Sequence, residues 1–329
     1  MKKLFFIFPE FKDTTTGGTS YDQKVSKYLK KLHVPLTKII VSNSINRVKL
    51  SYLINNLPKK SIILIDGYLV NKISFLFHNN IHILIHHPCC LEKIKGKMSD
   101  LNLFFNEKRA LSNSKSIITV SQYMKKIINS LTYKIVDIAV AYPGIDKNYY
   151  LKKTISSSKN ILVIGNVIER KGYHLLIESL AQIKSDWHLN IIGKFAPEDP
   201  YYLSLIEKIN MYKIADNISF LGNISDAKKI EYMCKSKIFV LPTFYEGFGI
   251  SLVEASAIGL NVITTDLPVL REVLKGGNIQ FIPINGSKEL SEAIQKTLLE
   301  KHESKSNNLK CYNWQTTAKI FKRTLHANS

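Results

Sequence analysis

Short runs of apolar, largely β-branched residues recur along the chain with longer amphipathic stretches between them. They are Leu4–Phe8, Ile39–Val41, Ile62–Ile65, Ile81–Ile85, Ile117–Val120, Ile161–Ile164, Leu189–Ile192, Ile218–Leu221, Ile238–Leu241 and Val262–Thr264. Each is strand-sized, and strands alternating with helices predict βαβ units and parallel sheets. After Gly172, the residues Leu176, Leu180 and Ile183 fall at i, i+4 and i+7, the spacing of one buried helix face. From Gly249 onward Ile250, Val253 and Ala257 do the same, and Gly259 is placed to stop that helix. The stretch from Trp314 to Leu325 is also helical in pattern, with Ala318, Ile320, Phe321 and Leu325 apolar. Residues 151–160, with Lys152, Lys153 and serines at 156–158, have no apolar period and predict a linker. The chain thus divides into two Rossmann-like halves, 1–150 and 161–312, followed by a closing helix in 313–329.

The length of 329 residues agrees with this division, since single cores stop growing before that size. With 45% hydrophobic and 22% charged residues, the composition excludes a disordered or collagenous chain. No apolar run approaches the roughly 18 residues of a membrane span. The opening Met1-Lys2-Lys3-Leu4 resembles the start of a signal peptide, but Pro9, Glu10 and Lys12 cut its apolar region short and a first strand is expected. The cysteines at 89, 90, 234 and 311 form no C-x-x-C pair, and a reducing cytoplasm is the expected compartment.

Charge changes the picture. The formal net charge is +20, and the first 150 residues hold 23 basic against 9 acidic side chains. Such an excess suits nucleic acid, an anionic membrane surface or simple solubility. No helix-turn-helix spacing, zinc knuckle or RNP-like aromatic run accompanies it, so no specific nucleic acid is expected. Lys24, Lys27, Lys30 and Lys31 on a predicted helix after Gly18, and Lys93, Lys95 and Lys97 after His87, make the membrane surface a candidate partner.

The most informative stretch runs from Pro242 to Ala255, PTFYEGFGISLVEA. A strand ending at Leu241 passes through a glycine-containing loop into a helix, with Glu246 in the loop and Glu254 about two turns into the helix. In an open parallel sheet, ligands bind at the carboxyl ends of the strands. The amides of Gly249, Ile250 and Ser251, with Phe248 beside them, suit a phosphate at the helix start. Glu254 then reaches ribose hydroxyls and Glu246 faces the group on the other side of the phosphate. Arg170 and Lys171, after the opening strand of the second half, are positioned to neutralise a diphosphate. The chain has no D-x-D pair to hold a divalent ion, so no metal is expected. Gly247-x-Gly249 lacks a third glycine because position 252 is Leu, which argues against a nicotinamide enzyme.

The E-x7-E spacing of Glu246 and Glu254, flanked by Leu241-Pro242, Ala255 and Gly259, resembles the family 4 glycosyltransferases of the GT-B fold. So do Gly17-Gly18, the strand end Ile83–Pro88 with His86 and His87, Val120-Ser121, Pro143–Asp146, Gly165–Gly172, Phe220–Gly222, and Leu267-Pro268 through Arg271-Glu272. The resemblance spans nearly the whole chain. It implies an α/β protein of two Rossmann-like domains facing across a cleft, the first binding an acceptor, the second a nucleotide-sugar, with the final helix crossing back to the first. It implies retaining transfer of a sugar from a nucleoside diphosphate, UDP or GDP, to a glycan or lipid-linked acceptor, for cell-surface polysaccharide or glycoconjugate synthesis. Glu246, His86 and Lys171 become the catalytic residues. Gly17, Gly18, Arg170, Lys171, Phe248, Gly249, Ile250, Ser251 and Glu254 become the donor contacts, and His87 an acceptor or sugar contact. The enzyme is expected to be cytoplasmic, at the inner face of the membrane. One departure supports a second reading: the family carries Arg directly after the first glycine where this chain has Asn166, so an inactive relative that binds a nucleotide-sugar or glycan as a partner subunit also fits.

Overall fold

A computed structural model describes residues 1–10, 16–73, 80–92, 98–150, 158–301, 309 and 311–327. They form two compact units, each around its own parallel sheet. The first runs to Gly144 and resumes at Tyr312; the second is Ile145–Cys311, with which Thr16 and Gly17 also group.

In the first unit, β1 (Leu4–Pro9), β2 (Leu36–Val41), β3 (Ile62–Asp66), β4 (Ile81–Ile85), β5 (Ser116–Thr119) and β6 (Asp137–Val140) lie in the order β2-β1-β3-β4-β5-β6. In the second, β7 (Asn160–Ile164), β8 (His188–Ile192), β9 (Ile218–Gly222), β10 (Ile238–Leu241), β11 (Asn261–Thr265) and β12 (Ile279–Ile282) lie in the order β12-β11-β10-β7-β8-β9. The order reverses between β1 and β3 and between β7 and β10. At such a switch point the crossovers leave in opposite directions and open a crevice beyond the strand ends. All ten runs read from the sequence are strands. β6 and β12 were not among them; both are sheet edges with a single buried residue each, and Asp137 and Gln280 interrupt their apolar pattern.

Right-handed crossovers dictate the helix layers of the first unit. β1 leads through the helix Gly17–Lys31 to β2 on one side, whereas every later crossover runs the opposite way and places its helix on the other face. The packing agrees. Leu50 and Ile54 of Arg47–Asn55, Ala110 and Leu111 of Met98–Asn113, and Ile128 of Gln122–Leu131 share one core with Ile63, Ile65, Ile83, Ile85 and Ile117. On the opposite face, Tyr21 packs its ring 5.6 Å from Trp314 and 6.1 Å from Phe321, and donates to the Ala141 carbonyl at 2.7 Å. The helix Trp314–His326 buries Ala318, Phe321 and Leu325 there, with Ile320 only half-buried. Gly144 lies directly under this helix, since a Cβ on it would stand 2.3 Å from the Trp314 nitrogen.

Three boundaries differ from the sequence reading. The second unit begins at Ile145 rather than after 150, because Tyr149 of the 3-10 turn Lys147–Tyr150 reaches Glu254 and Lys229 in that unit. Of the expected linker, 151–157 lies outside the described residues and Asn160 already pairs in β7. The helix after Gly172 spans Tyr173–Leu180, and Ile183 falls in the turn beyond, bonding back to the Leu180 carbonyl at 3.1 Å.

Candidate functional site

In the second unit the site grows from the ends of β7 and β10, the two strands at the switch point. After β7 the chain makes the 3-10 turn Glu169–Lys171 and passes Gly172 at φ 71°. A Cβ there would lie 2.0 Å from the Pro242 carbonyl, so glycine lets this turn press against the loop after β10. The backbone then locks the two loops together, with the Phe244 amide donating to the Arg170 carbonyl at 2.8 Å. This registration brings side chains 75 positions apart into contact: the Lys171 ammonium donates to the Glu246 carboxylate, and Arg170 donates to the Tyr245 carbonyl at 2.7 Å. Arg170 also stands 3.9 Å from Glu246, so it faces the loop and not solvent. Two cations therefore share one buried carboxylate. Asn166 supplies no charge; its side-chain oxygen accepts from the Lys194 amide at 3.3 Å, tying the β7 loop to the one after β8.

The loop enters the helix Ile250–Ile258 through Gly249, whose φ of 81° is left-handed and whose missing Cβ would press on Leu252 and Leu270. Phe248 is buried beneath the turn. The Ser251 hydroxyl donates to the Ile164 carbonyl at 3.1 Å and fixes the helix start to the end of β7, leaving its amide with those of Gly249 and Ile250 as the first-turn donors. Glu254 is the fifth residue of this helix, one turn in rather than two. Its carboxylate takes Lys229 at 3.2 and 3.3 Å and the Tyr149 hydroxyl. Burial raises the Glu254 pKa, with Lys229 pulling the other way. Lys229 and Tyr149 were missed in the sequence, where each is one of many lysines and tyrosines.

The first unit gathers a different set at the ends of β1, β3 and β4. His86 follows β4; its Nε2 lies 3.1 Å from Asp22 and 3.4 Å from Asp66, which ends β3. Both carboxylates are buried. Burial alone would lower the histidine pKa, but Asp22 and Asp66 outweigh it and raise His86 to about 10. Burial raises Asp22 to about 7, with His86 pulling it down and Asp66 pushing it up. Gly17 opens the helix Gly17–Lys31, and a Cβ on Gly18 would meet the His86 ring at 3.2 Å. His87 turns elsewhere, pairing with Glu92 at 2.9 Å. Beyond it, Cys89 and Cys90 donate their amides to the buried Glu107 at 3.0 and 2.8 Å, which anchors the turn that carries both histidines. Among the described residues, Asp22, Asp66 and His86 are the group whose ligand atoms, within 4.8 Å of one another, are close enough to share a cation. Sequence reasoning found His86 and not its partners. The signal was present: Asp22, Val25, Ser26 and Leu29 fall at i, i+3, i+4 and i+7, so a carboxylate sits on the buried stripe.

Residues 151–314 match the family described as Glycosyl transferases group 1. The chain is 28% identical over 253 residues to the capsular polysaccharide biosynthesis glycosyltransferase CapM of Staphylococcus aureus, covering 68% of this chain and 63% of that protein. The chain spans about half to two thirds of the length of the curated relatives it first matches. Its fold superposes on sucrose-phosphate synthase of Thermosynechococcus elongatus with a TM-score of 0.82, 18% identity and full coverage of both chains. It superposes on Anabaena HepE, solved in complex with UDP and glucose, with a TM-score of 0.76, 18% identity and coverage of 99% and 100%. The architecture is GT-B.

Proposed function

With its residues 151–314 belonging to the group 1 glycosyl transferases, we propose that the chain transfers a sugar from a nucleoside diphosphate, UDP or GDP, to a glycan or lipid-linked acceptor with retention of anomeric configuration. The product is a cell-surface polysaccharide or glycoconjugate, assembled at the cytoplasmic face of an anionic membrane. The observation that carries this reading is the convergence, at the β7–β10 switch point, of a helix N-terminus with Lys171, Arg170 and Glu246. CapM acts in capsular polysaccharide biosynthesis and HepE holds UDP, which supports the same class of product and donor.

In this reading the diphosphate lies on the amides of Gly249, Ile250 and Ser251. As the bond from the sugar's anomeric carbon to the phosphate oxygen breaks, its electron pair stays on that oxygen, the acceptor hydroxyl oxygen forms the new bond to the anomeric carbon from the same face, and the hydroxyl proton passes to the departing phosphate oxygen. Lys171, shared between Glu246 and the phosphate, stabilises that charge as it develops. Glu246 accepts sugar hydroxyls, Glu254 the ribose hydroxyls, and His86 meets the acceptor. These groups act without a divalent ion, so turnover persists in EDTA.

A second reading, a nucleotide-sugar-binding relative without turnover, is favoured by Asn166, whose side chain is spent on the Lys194 amide where the family carries a cation. Thermal stabilisation screened with UDP, GDP, CDP and ADP identifies the base; at about 100 times its dissociation constant a ligand adds about 2.7 kcal/mol. Release of free nucleoside diphosphate from the matching sugar donor separates the enzyme from the binding relative. No stabilisation by any of the four rejects both.

A further inference from the structure

Two neighbouring lysines of the helix Asp226–Lys235 take different courses. Lys228 is exposed, whereas the side chain of Lys229 is only 19% exposed. Lys229 lies four residues before the fully buried Met233, on the face that the helix turns inward. There its ammonium meets both oxygens of Glu254, at 3.3 and 3.2 Å, and stands 3.4 Å from Asp226. It also lies 5.4 Å over the ring of Tyr149, whose hydroxyl bonds the same Glu254 carboxylate. Among the described residues, Lys229 and Asp226 from this helix and Tyr149 from the turn Lys147–Tyr150 are the charged and titratable groups that face Glu254, and Asp146 acts on Tyr149.

Stability alone does not account for this arrangement. A largely buried ion pair gains little over apolar residues of the same size, because taking both charges out of water costs about what their attraction returns. The pair is also not sealed. The Glu254 side chain stays 13% exposed, one turn from the amides at the start of the helix Ile250–Ile258. A carboxylate so placed needs a fixed charge and a fixed direction to accept from a hydroxyl. Burial works against the first, since it favours the neutral acid, and Lys229 opposes it. Tyr149 serves the second, pinning the carboxylate from another element.

We propose that Lys229 and Tyr149 are positioning residues of the nucleotide site, keeping Glu254 ionised and aimed at the ribose, and that they thereby set a preference for ribonucleotides over 2′-deoxyribonucleotides. An ionised acceptor forms a charge-assisted bond with a ribose hydroxyl. A deoxynucleotide leaves the same carboxylate without that donor, the loss that a site built around a hydroxyl penalises. A neutral acid discriminates less. The assignment rests on the proposed function for the place of the ribose; Lys229 acts through Glu254 and not on the nucleotide.

The test is calorimetry with UDP, GDP, CDP and ADP, and with the 2′-deoxy form of whichever binds, at about pH 6 and about pH 8.5, on either side of the range where a raised carboxyl titrates. Wild type prefers the ribonucleotide by about tenfold at both. Lys229→Met removes the cation, so the carboxyl holds its proton at the lower pH. Ribonucleotide affinity then falls by about tenfold and recovers as pH rises, while 2′-deoxynucleotide affinity changes by no more than about twofold. Lys229→Arg, which keeps the charge, restores a flat profile. Tyr149→Phe costs about threefold, the order of one neutral hydrogen bond. In Glu254→Gln, where no charge needs holding, adding Lys229→Met costs nothing further. A Lys229→Met variant that binds both forms as wild type at the lower pH, or loses both equally, overturns the assignment. So does a further loss in the Glu254→Gln background, since Lys229 would then touch the nucleotide itself. Binding of none of the four, by contrast, rejects the proposed function and this assignment with it.

Discussion

At the strand ends of the first unit two carboxylates surround one histidine; at those of the second, two cations surround one carboxylate. The acid-rich cluster is opposite in sign to its half, which holds 23 basic against 9 acidic residues, whereas the cation-rich cluster shares the net positive sign of its own half. The charge at the ligand end of a parallel sheet is decided by the few residues its crossovers deliver there, and the net charge of the unit is spread over surfaces that see no ligand. A site with cations in excess and a helix N-terminus suits a diphosphate, whereas buried carboxylates around an imidazolium suit hydroxyl groups.

The largest effect that would break this contrast is at Lys171. Lys171→Ala should slow release of nucleoside diphosphate from the sugar donor by at least about 30-fold, or about 2 kcal/mol of transition-state stabilisation. A smaller change would mean that Arg170 or the helix amides carry the leaving group.

Next comes the division of labour between the two glutamates. Glu246→Gln should lower turnover yet leave nucleoside diphosphate affinity unchanged or tighter, because it frees Lys171 from its partner. Glu254→Gln should weaken that affinity by about tenfold in calorimetry, the order of one charge-assisted hydrogen bond. Equal weakening in both would undo the assignment of sugar to one and ribose to the other.

The smallest effect concerns the acid-rich cluster. A histidine whose folded pKa is raised stabilises the fold fully below its ordinary value of 6.5, and that contribution is lost as pH rises through about 10. The melting temperature of wild type should therefore exceed that of His86→Gln most at about pH 6.5 and below, with the gap closing by a few degrees toward about pH 10. A gap independent of pH would show that the imidazolium is not held by Asp22 and Asp66.

What the sequence reveals depends on how local the cause is. Strands such as β3 and β10 are buried on both faces, so an unbroken apolar run betrays them; in β6 and β12, Asp137 and Gln280 break the run. Glu246 and Glu254 are legible because one loop and one helix turn set their spacing. The contact between Lys171 and Glu246 bridges 75 positions and depends on Gly172 pressing against Pro242, which no local pattern reports. Asp22 was readable as a charge on a buried helix stripe, but its tie to His86 required the strand order.

Gly144 seated under Trp314 bears on the order in which the chain is made. The first unit is interrupted after Gly144 and resumes only at Tyr312. Residues 312–327 leave the ribosome after the whole of the second unit, so the face of the first sheet that they cover stays bare until then, while Ile145–Cys311 is a continuous stretch able to fold first. A fragment cut near residue 150 would lack that cover, and Tyr21 would lose Trp314 and Phe321 together. An isolated first unit requires the helix Trp314–His326 spliced back onto Gly144.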